Sequence, residues 1–174
     1  MAKNWKNYYT DNAVHHLTGT VHQWQPILNY PPIAQILMDE ISMKSERWNV
    51  KIWGYVIMPE HFHLLAQSSK GIYIQKFLHG FRRSISGKIK KMIANSDDWL
   101  KSYCVDNNIE IESFYKKTAG KSIFRFWKEK PRIFPISDEK EIEKKLRYLL
   151  NNPVRRGLVK KSSEWKYLYS KYNL

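Results

Sequence analysis

Residues 50–58 (VKIWGYVIM) are apolar or aromatic at nearly every position. A strand of that kind needs cover on both faces, which places it inside a sheet. Pro59-Glu60 breaks the run, and a second strand follows at once over residues 61–67. Two strands joined so tightly pair antiparallel. Around this pair, residues 14–22 read as a strand. They carry β-branched Val14, Thr18, Thr20 and Val21, and Gly19 predicts a bulge or a close approach. Pro31-Pro32 open a helix, continued by Ile33, Ile36, Leu37 and Ile41 at helical spacing. A long helix fits residues 72–93. Gly80 and Gly87 within it each cost up to about 1 kcal/mol relative to alanine, so either predicts close packing or a bend. Residues 123–136 read as one strand, whole or broken, which Pro131 limits to an edge. Ser137-Asp138 with Glu141 resembles a capped helix start, and Asn151-Asn152-Pro153 ends that helix near Leu150. Residues 1–12 read as an irregular lead-in, 95–120 follow no clear pattern, and 160–174 form a basic, aromatic tail. This order predicts an α+β protein, an antiparallel sheet packed against helices, and 174 residues suit a single domain over 1–174.

Charge limits the partners. Thirty Lys+Arg against sixteen Asp+Glu leave a net +14, an excess that attracts polyanions, nucleic acid above all. An anionic membrane is the competitor, but no helix pairs a uniformly basic face with an exposed apolar one. Seven Trp, eleven Tyr and seven Phe can fill a core or offer flat faces to unpaired bases. One cysteine, Cys104, excludes a disulfide framework and a cysteine zinc site. Neither a basic-then-apolar leader nor an apolar run of about 18 residues is visible, so the expectation is a cytoplasmic, nucleoid-associated protein without membrane contact.

Two constellations carry candidate chemistry. In a strand, residues i and i+2 share a face, so His61 and His63 project together while Phe62 turns to the core. Two adjacent imidazoles can chelate one divalent metal or, protonated, grip a phosphate. Many His-x-His pairs merely decorate a solvated strand, but this one follows a strand placed inside the sheet. In the last helix, Ile142, Leu146, Leu149 and Leu150 form one stripe. Tyr148 lies about 145° from the centre of that stripe at 100° per residue, and Asn152 about 40° from Tyr148. The two side chains can reach a common point, and an amide oxygen is a hard ligand suited to Mg²⁺ or Mn²⁺. Rim packing for Tyr148 and helix C-capping for Asn152 are the structural alternatives.

These residues carry a family resemblance. Met58-Pro59-Glu60-His61-Phe62-His63-Leu64-Leu65 resembles the His-hydrophobic-His signature of single-tyrosine HUH transposases. The run Tyr148-Leu149-Leu150-Asn151-Asn152-Pro153-Val154-Arg155-Arg156-Gly157-Leu158-Val159 resembles the tyrosine-helix signature of their REP-associated branch. Phe126-Trp127 and Trp165 extend the likeness over most of the chain from Val14 onward. The resemblance implies a ferredoxin-like fold that cleaves and rejoins single-stranded DNA, often near hairpins, through a 5′-phosphotyrosine intermediate. It implies Tyr148 as the nucleophile, with His61, His63 and Asn152 as ligands of Mg²⁺ or Mn²⁺. Glu60 departs from the asparagine usual there and borders the metal site with a carboxylate; it is also a candidate base by proximity. Residues 95–120 are longer than the family pattern. The branch resemblance favours a monomer, with a homodimer that exchanges the tyrosine helix as the other arrangement.

DNA contacts are expected from Lys76, Arg82, Arg83, Lys88, Lys90 and Lys91 on the long helix, which has no acidic residue between them. Arg155, Arg156, Lys160 and Lys161 follow the tyrosine helix. Such cations supply affinity and salt dependence rather than sequence choice. Trp5, Tyr8 and Tyr9 can stack on unpaired bases or pack on the core. His15, His16, His22 and His79 have no metal spacing and read as structural. A non-catalytic, RRM-like sheet that only holds single-stranded nucleic acid is the alternative function.

Overall fold

The structure is a computed structural model that describes residues 8–96, 98–128 and 130–172. Its elements run β1 (Val14–Thr20), α1 (Pro31–Arg47), β2 (Lys51–Ile57), β3 (His61–Gln67), α2 (Gly71–Ala94), α3 (Asp98–Asp106), β4 (Tyr115–Thr118), β5 (Lys121–Phe124), β6 (Arg132–Ile136), α4 (Glu139–Leu150), α5 (Asn152–Arg155) and β7 (Leu168–Ser170). Five strands form one sheet in the order β6-β1-β3-β2-β7, every neighbouring pair antiparallel. The fold is the expected ferredoxin-like α+β arrangement.

Alternation along β3 divides the core. Phe62, Leu64 and Ala66 face α1 and α2, where they meet Leu37, Phe77, Phe81 and Ile85. Leu65 faces the other way, into a second cluster under Ile142, Leu146, Leu149 and Leu150 of α4. The period of two therefore puts His61 and His63 on the α4 side. That helix lies across the face an RRM-like module would keep open for stacking.

Several details differ from the sequence reading. The run 50–58 is continuously buried only over its end, Val56 to Met58; before that, Val50 and Gly54 are buried, Lys51 is exposed, and Ile52, Trp53 and Tyr55 are half-buried. Its outer neighbour is β7, a three-residue strand inside what read as a tail, pairing only with Gly54–Val56. Neither Gly80 nor Gly87 marks tight packing: a Cβ at Gly80 would make only ordinary contact with Lys44 and Trp48 at 3.9 Å, and one at Gly87 would meet nothing within 4 Å. Gly19 does mark a close approach, since a Cβ there would strike the Phe62 ring. The strand expected over 123–136 is broken. β5 pairs with β4 in a separate hairpin, Trp127 bridges Val21, and β6 takes the edge beside β1. Within 95–120, α3 buries Leu100 and Cys104 against the α1–α2 side of the core. The Asp138 cap forms through the Lys140 N–H at 3.1 Å rather than through that of Glu141. Among the described residues, no helix is long and apolar enough to cross a membrane.

Gly54 seats α4. A Cβ there would lie 2.6 Å from Leu146 Cδ1 and 2.9 Å from the Tyr169 carbonyl oxygen. Gly54→Ala must push α4 or β7 off the sheet, and overpacking of this kind costs about 1–3 kcal/mol. Urea unfolding should show that loss, whereas Gly87→Ala should not destabilise.

Candidate active site

The turn Met58-Pro59-Glu60 is buried and tied down on three sides. The Met58 N–H donates to the His61 carbonyl (2.8 Å), Val21 N–H to that of Glu60 (2.9 Å), and Leu28 N–H to that of Pro59 (2.8 Å). From this anchored turn, His61 and His63 project with their Nε2 atoms 3.2 Å apart. Two nitrogens on one metal, with bonds of about 2.1 Å at 90–109°, lie about 3.0–3.4 Å apart. The spacing fits a shared cation.

The Nδ1 atoms fit it too. His61 Nδ1 is 3.0 Å from Glu60 Oε1, and His63 Nδ1 is 3.0 Å from Thr18 Oγ1 and 3.1 Å from His16 Nε2. Each ring has an acceptor for its Nδ1 proton, which leaves both Nε2 lone pairs free to ligate. Glu60 Oε1 also receives Arg156 at 2.7 Å. Burial alone would raise the Glu60 carboxyl, but the bonds from His61 and Arg156 prevail and hold it below its usual range. Both contacts fall on Oε1, a histidine and an arginine, which makes Glu60 a brace for His61.

Tyr148 and Asn152 stand across the same cavity, of about 440 Å³, which Thr18, Lys128, Lys130 and Arg132 also line. The Tyr148 ring is 6.2 Å from the His63 ring, and the Arg155 guanidinium lies 4.9 Å from its centre. Tyr148 is 41% exposed although it sits on a helix anchored by four buried residues, so it is a rim side chain available to a ligand. α4 stops at Leu150, and Asn152 begins the short α5. The buried Asn152 amide nitrogen caps the Tyr148 carbonyl at 3.4 Å. Capping and ligation are compatible, because the cap uses the nitrogen and leaves the oxygen. Among the described residues, no cluster of three or more His, Cys, Asp or Glu could hold a metal, and the Asn152 amide lines the same cavity as the two imidazoles.

Burial pushes His63 down to about 2, helped by His16 and His61, and pushes His16 down to about 4, helped by Lys145. Both are neutral in the folded chain at pH 7, while unfolded histidine protonates near about 6.5. Below that pH the unfolded state binds more protons than the folded one. Stability is therefore full above about pH 6.5 and is lost as pH falls, by up to about 1.4 kcal/mol per pH unit for each histidine. Urea titrations in chelator between pH 8 and 4 should show this slope, and His16→Gln should flatten it; an unchanged slope would contradict the assignment.

The expected DNA-binding cations divide. Arg155 and Arg156 line the cavity, while Lys160 and Lys161 are exposed beyond it. None of the α2 cations lines it, because α2 packs on the opposite face of the sheet. Lys88 is held by the buried Glu40 at 2.8 Å, a partner supplied by α1 that the sequence of α2 does not reveal. Arg82 is a strut: its guanidinium donates to the Lys128 carbonyl (2.7 Å), and its own carbonyl receives the Trp127 indole (3.0 Å). Lys76 lies over Trp48 (5.2 Å) and Tyr73 (5.9 Å); Arg83, Lys90 and Lys91 are exposed. Tyr9 packs on the core, and burial raises its hydroxyl against the pull of Arg82; Tyr8 is exposed, and Trp5 lies outside the described residues.

The sequence reading missed His16, Thr18, Trp24, Lys128, Lys130 and Arg132. Thr18 pairs with His63 on one side and Arg132 on the other, so a single register aligns three of the cavity's side chains. The only advance signal was parity: His16, Thr18 and Thr20 alternate with core residues as His61 and His63 do.

The family model described as "Transposase IS200 like" matches residues 9–114, a span that holds His61 and His63 and ends before Tyr148. No curated protein matches the sequence. Among solved structures, a REP-associated tyrosine transposase bound to a REP hairpin aligns with a TM-score of 0.67 and 16% identity, over 95% of this chain and 81% of that one. At that identity the likeness establishes a shared fold. A protein from Deinococcus radiodurans R1 described as a transposase aligns with a TM-score of 0.48 and 14% identity, over 86% of this chain and 96% of that one.

Proposed function

Because the chain belongs to the IS200-like transposase family, we propose that it cuts and rejoins single-stranded DNA at hairpin or palindromic sites, with Tyr148 as nucleophile. One observation carries this reading: a single basic cavity brings the Tyr148 ring to the paired His61 and His63 side chains and the Asn152 amide.

The Tyr148 oxygen attacks the phosphorus, forming a Tyr–O–P bond as the P–O3′ bond breaks. The phenol proton is lost and the leaving 3′ oxygen gains one, which yields a 5′-phosphotyrosine and a free 3′-OH. The phosphodiester bond energy is retained, so attack by a 3′-OH reverses the step without a nucleotide cofactor. Mg²⁺ or Mn²⁺ held by the Nε2 atoms of His61 and His63 and the amide oxygen of Asn152 would polarise a non-bridging phosphate oxygen and offset charge on the leaving oxygen. Glu60 fixes the tautomer and angle of His61, Thr18 those of His63, and Arg156 keeps Glu60 in place. Lys128, Lys130, Arg132 and Arg155 surround the strand with positive charge. The resemblance to the REP-associated branch favours a monomer, acting on DNA in the cytoplasm.

The test is a labelled DNA hairpin with a single-stranded flank, incubated with Mg²⁺ or Mn²⁺. A protein–DNA adduct that survives denaturation is the expected result. Binding without any adduct would sink this reading and favour a non-catalytic nucleic-acid module.

A further inference from the structure

We propose that Trp24 is a stacking platform for the unpaired base next to the phosphate presented to Tyr148; this rests on the function proposed above. An indole is usually well buried, yet Trp24 is 55% exposed. It is held outward by an unusual backbone. Gln23 (φ 51°) and Trp24 (φ 60°) are consecutive left-handed residues, a conformation that side chains other than glycine rarely adopt. Strain of this kind persists where the surroundings enforce it, and it concentrates at ligand sites. Here the turn is pinned on both sides. The Trp24 N–H donates to the Val21 carbonyl at 3.1 Å, and the adjacent Gln25 side-chain oxygen receives the Glu110 N–H at 3.1 Å.

The position of the indole points to its occupant. Trp24 is the shared wall of two cavities, the 440 Å³ one that holds Tyr148 and a second of about 540 Å³. Lys128 and Lys130 line both. A chain passing from one to the other crosses the indole with cations beside it throughout. The ring stands 6.3 Å from His61, edge to face, and Lys128 Nζ lies 5.7 Å from its centre. An aromatic face one ring away from the reacting phosphate, set between lysines, matches a polyanion whose repeating unit carries a flat base. An apolar peptide would leave the lysines without counter-charge, so the occupant is the DNA strand itself.

The probe is a DNA hairpin with a single-stranded tail that carries the fluorescent base aminopurine at successive positions, bound to the protein without divalent metal to prevent cleavage. One position should be quenched on binding. Trp24→Leu should abolish that quenching and weaken binding about tenfold, and Trp24→Phe should restore both, because stacking is sequence-tolerant and needs only an aromatic face. An abasic site at the quenched position should cost about the same factor in the wild type and nothing further in Trp24→Leu. The proposal is overturned if no position is quenched, if Trp24→Leu binds and quenches as the wild type does, or if the abasic cost is equal in both proteins. Adduct formation with metal is scored separately: adduct without any Trp24 effect rejects the platform alone, whereas Trp24-dependent quenching without adduct rejects only the cleavage reading.

Discussion

Tyr148→Phe is expected to remove the covalent protein–DNA adduct entirely and to reduce cleavage to background. The substitution deletes one oxygen and keeps the ring, so the contacts with His63 and Arg155 survive. Tyr148 is a rim residue, and α4 is anchored by Ile142, Leu146, Leu149 and Leu150, so the fold has no reason to fail. Hairpin affinity should stay within about twofold, since Arg155 and the lysines around the cavity supply it. The contrast between lost chemistry and retained binding distinguishes a nucleophile from a packing residue. Adduct formation by the Phe variant would show that another group attacks. Denaturing gels and an electrophoretic binding assay on the same preparation read both quantities.

The second large effect concerns the metal. Chelation, or His63→Ala, should lower the cleavage rate by about three orders of magnitude, because Lewis-acid stabilisation of phosphate charge contributes several kcal/mol and each 1.36 kcal/mol is tenfold. Mn²⁺ binding followed by calorimetry should disappear in His63→Ala. Glu60→Gln should act more mildly, weakening Mn²⁺ by about 10–100-fold, because the amide still accepts from His61 Nδ1 but loses the charge that raises ligand basicity and pairs with Arg156. If Glu60→Gln bound Mn²⁺ as tightly as the wild type, the carboxylate would have no part in orienting His61. If it abolished cleavage while Mn²⁺ binding was unchanged, Glu60 would have to act on the reacting groups, contrary to its contacts here.

Much of this was legible in order along the chain. The start of β3 followed from the Pro59-Glu60 break. The start of α1 followed from Pro31-Pro32, and the end of α4 from Pro153. These signals are local: a proline constrains its own residue and the one before it. β7 was not legible. Leu168–Ser170 is three residues long, with no pattern of its own, and is a strand because the open edge of β2 offers it hydrogen bonds. The cations of α2 were assigned to DNA from charge alone. Which face of the sheet a helix covers is not written in that helix, nor is the Glu40 that neutralises Lys88 from another element.

The histidine pair marks where the two kinds of information divide. By itself the sequence determined that His61 and His63 share a face, because a period of two is a property of the extended backbone, and that Tyr148 leaves the apolar stripe of its helix, because 100° per residue is a property of the α-helix. The tertiary structure alone decided that α4 crosses that same face. It also decided that Thr18 and His16 stand behind His63, that Glu60 and Arg156 brace His61, and that Trp24 and Lys128 close the cavity. Apart from Glu60 and His61, which are neighbours in the chain, those contacts join residues tens of positions apart. Strand register and the packing of buried surfaces set them, and a one-residue slip that leaves every local preference intact would undo them all.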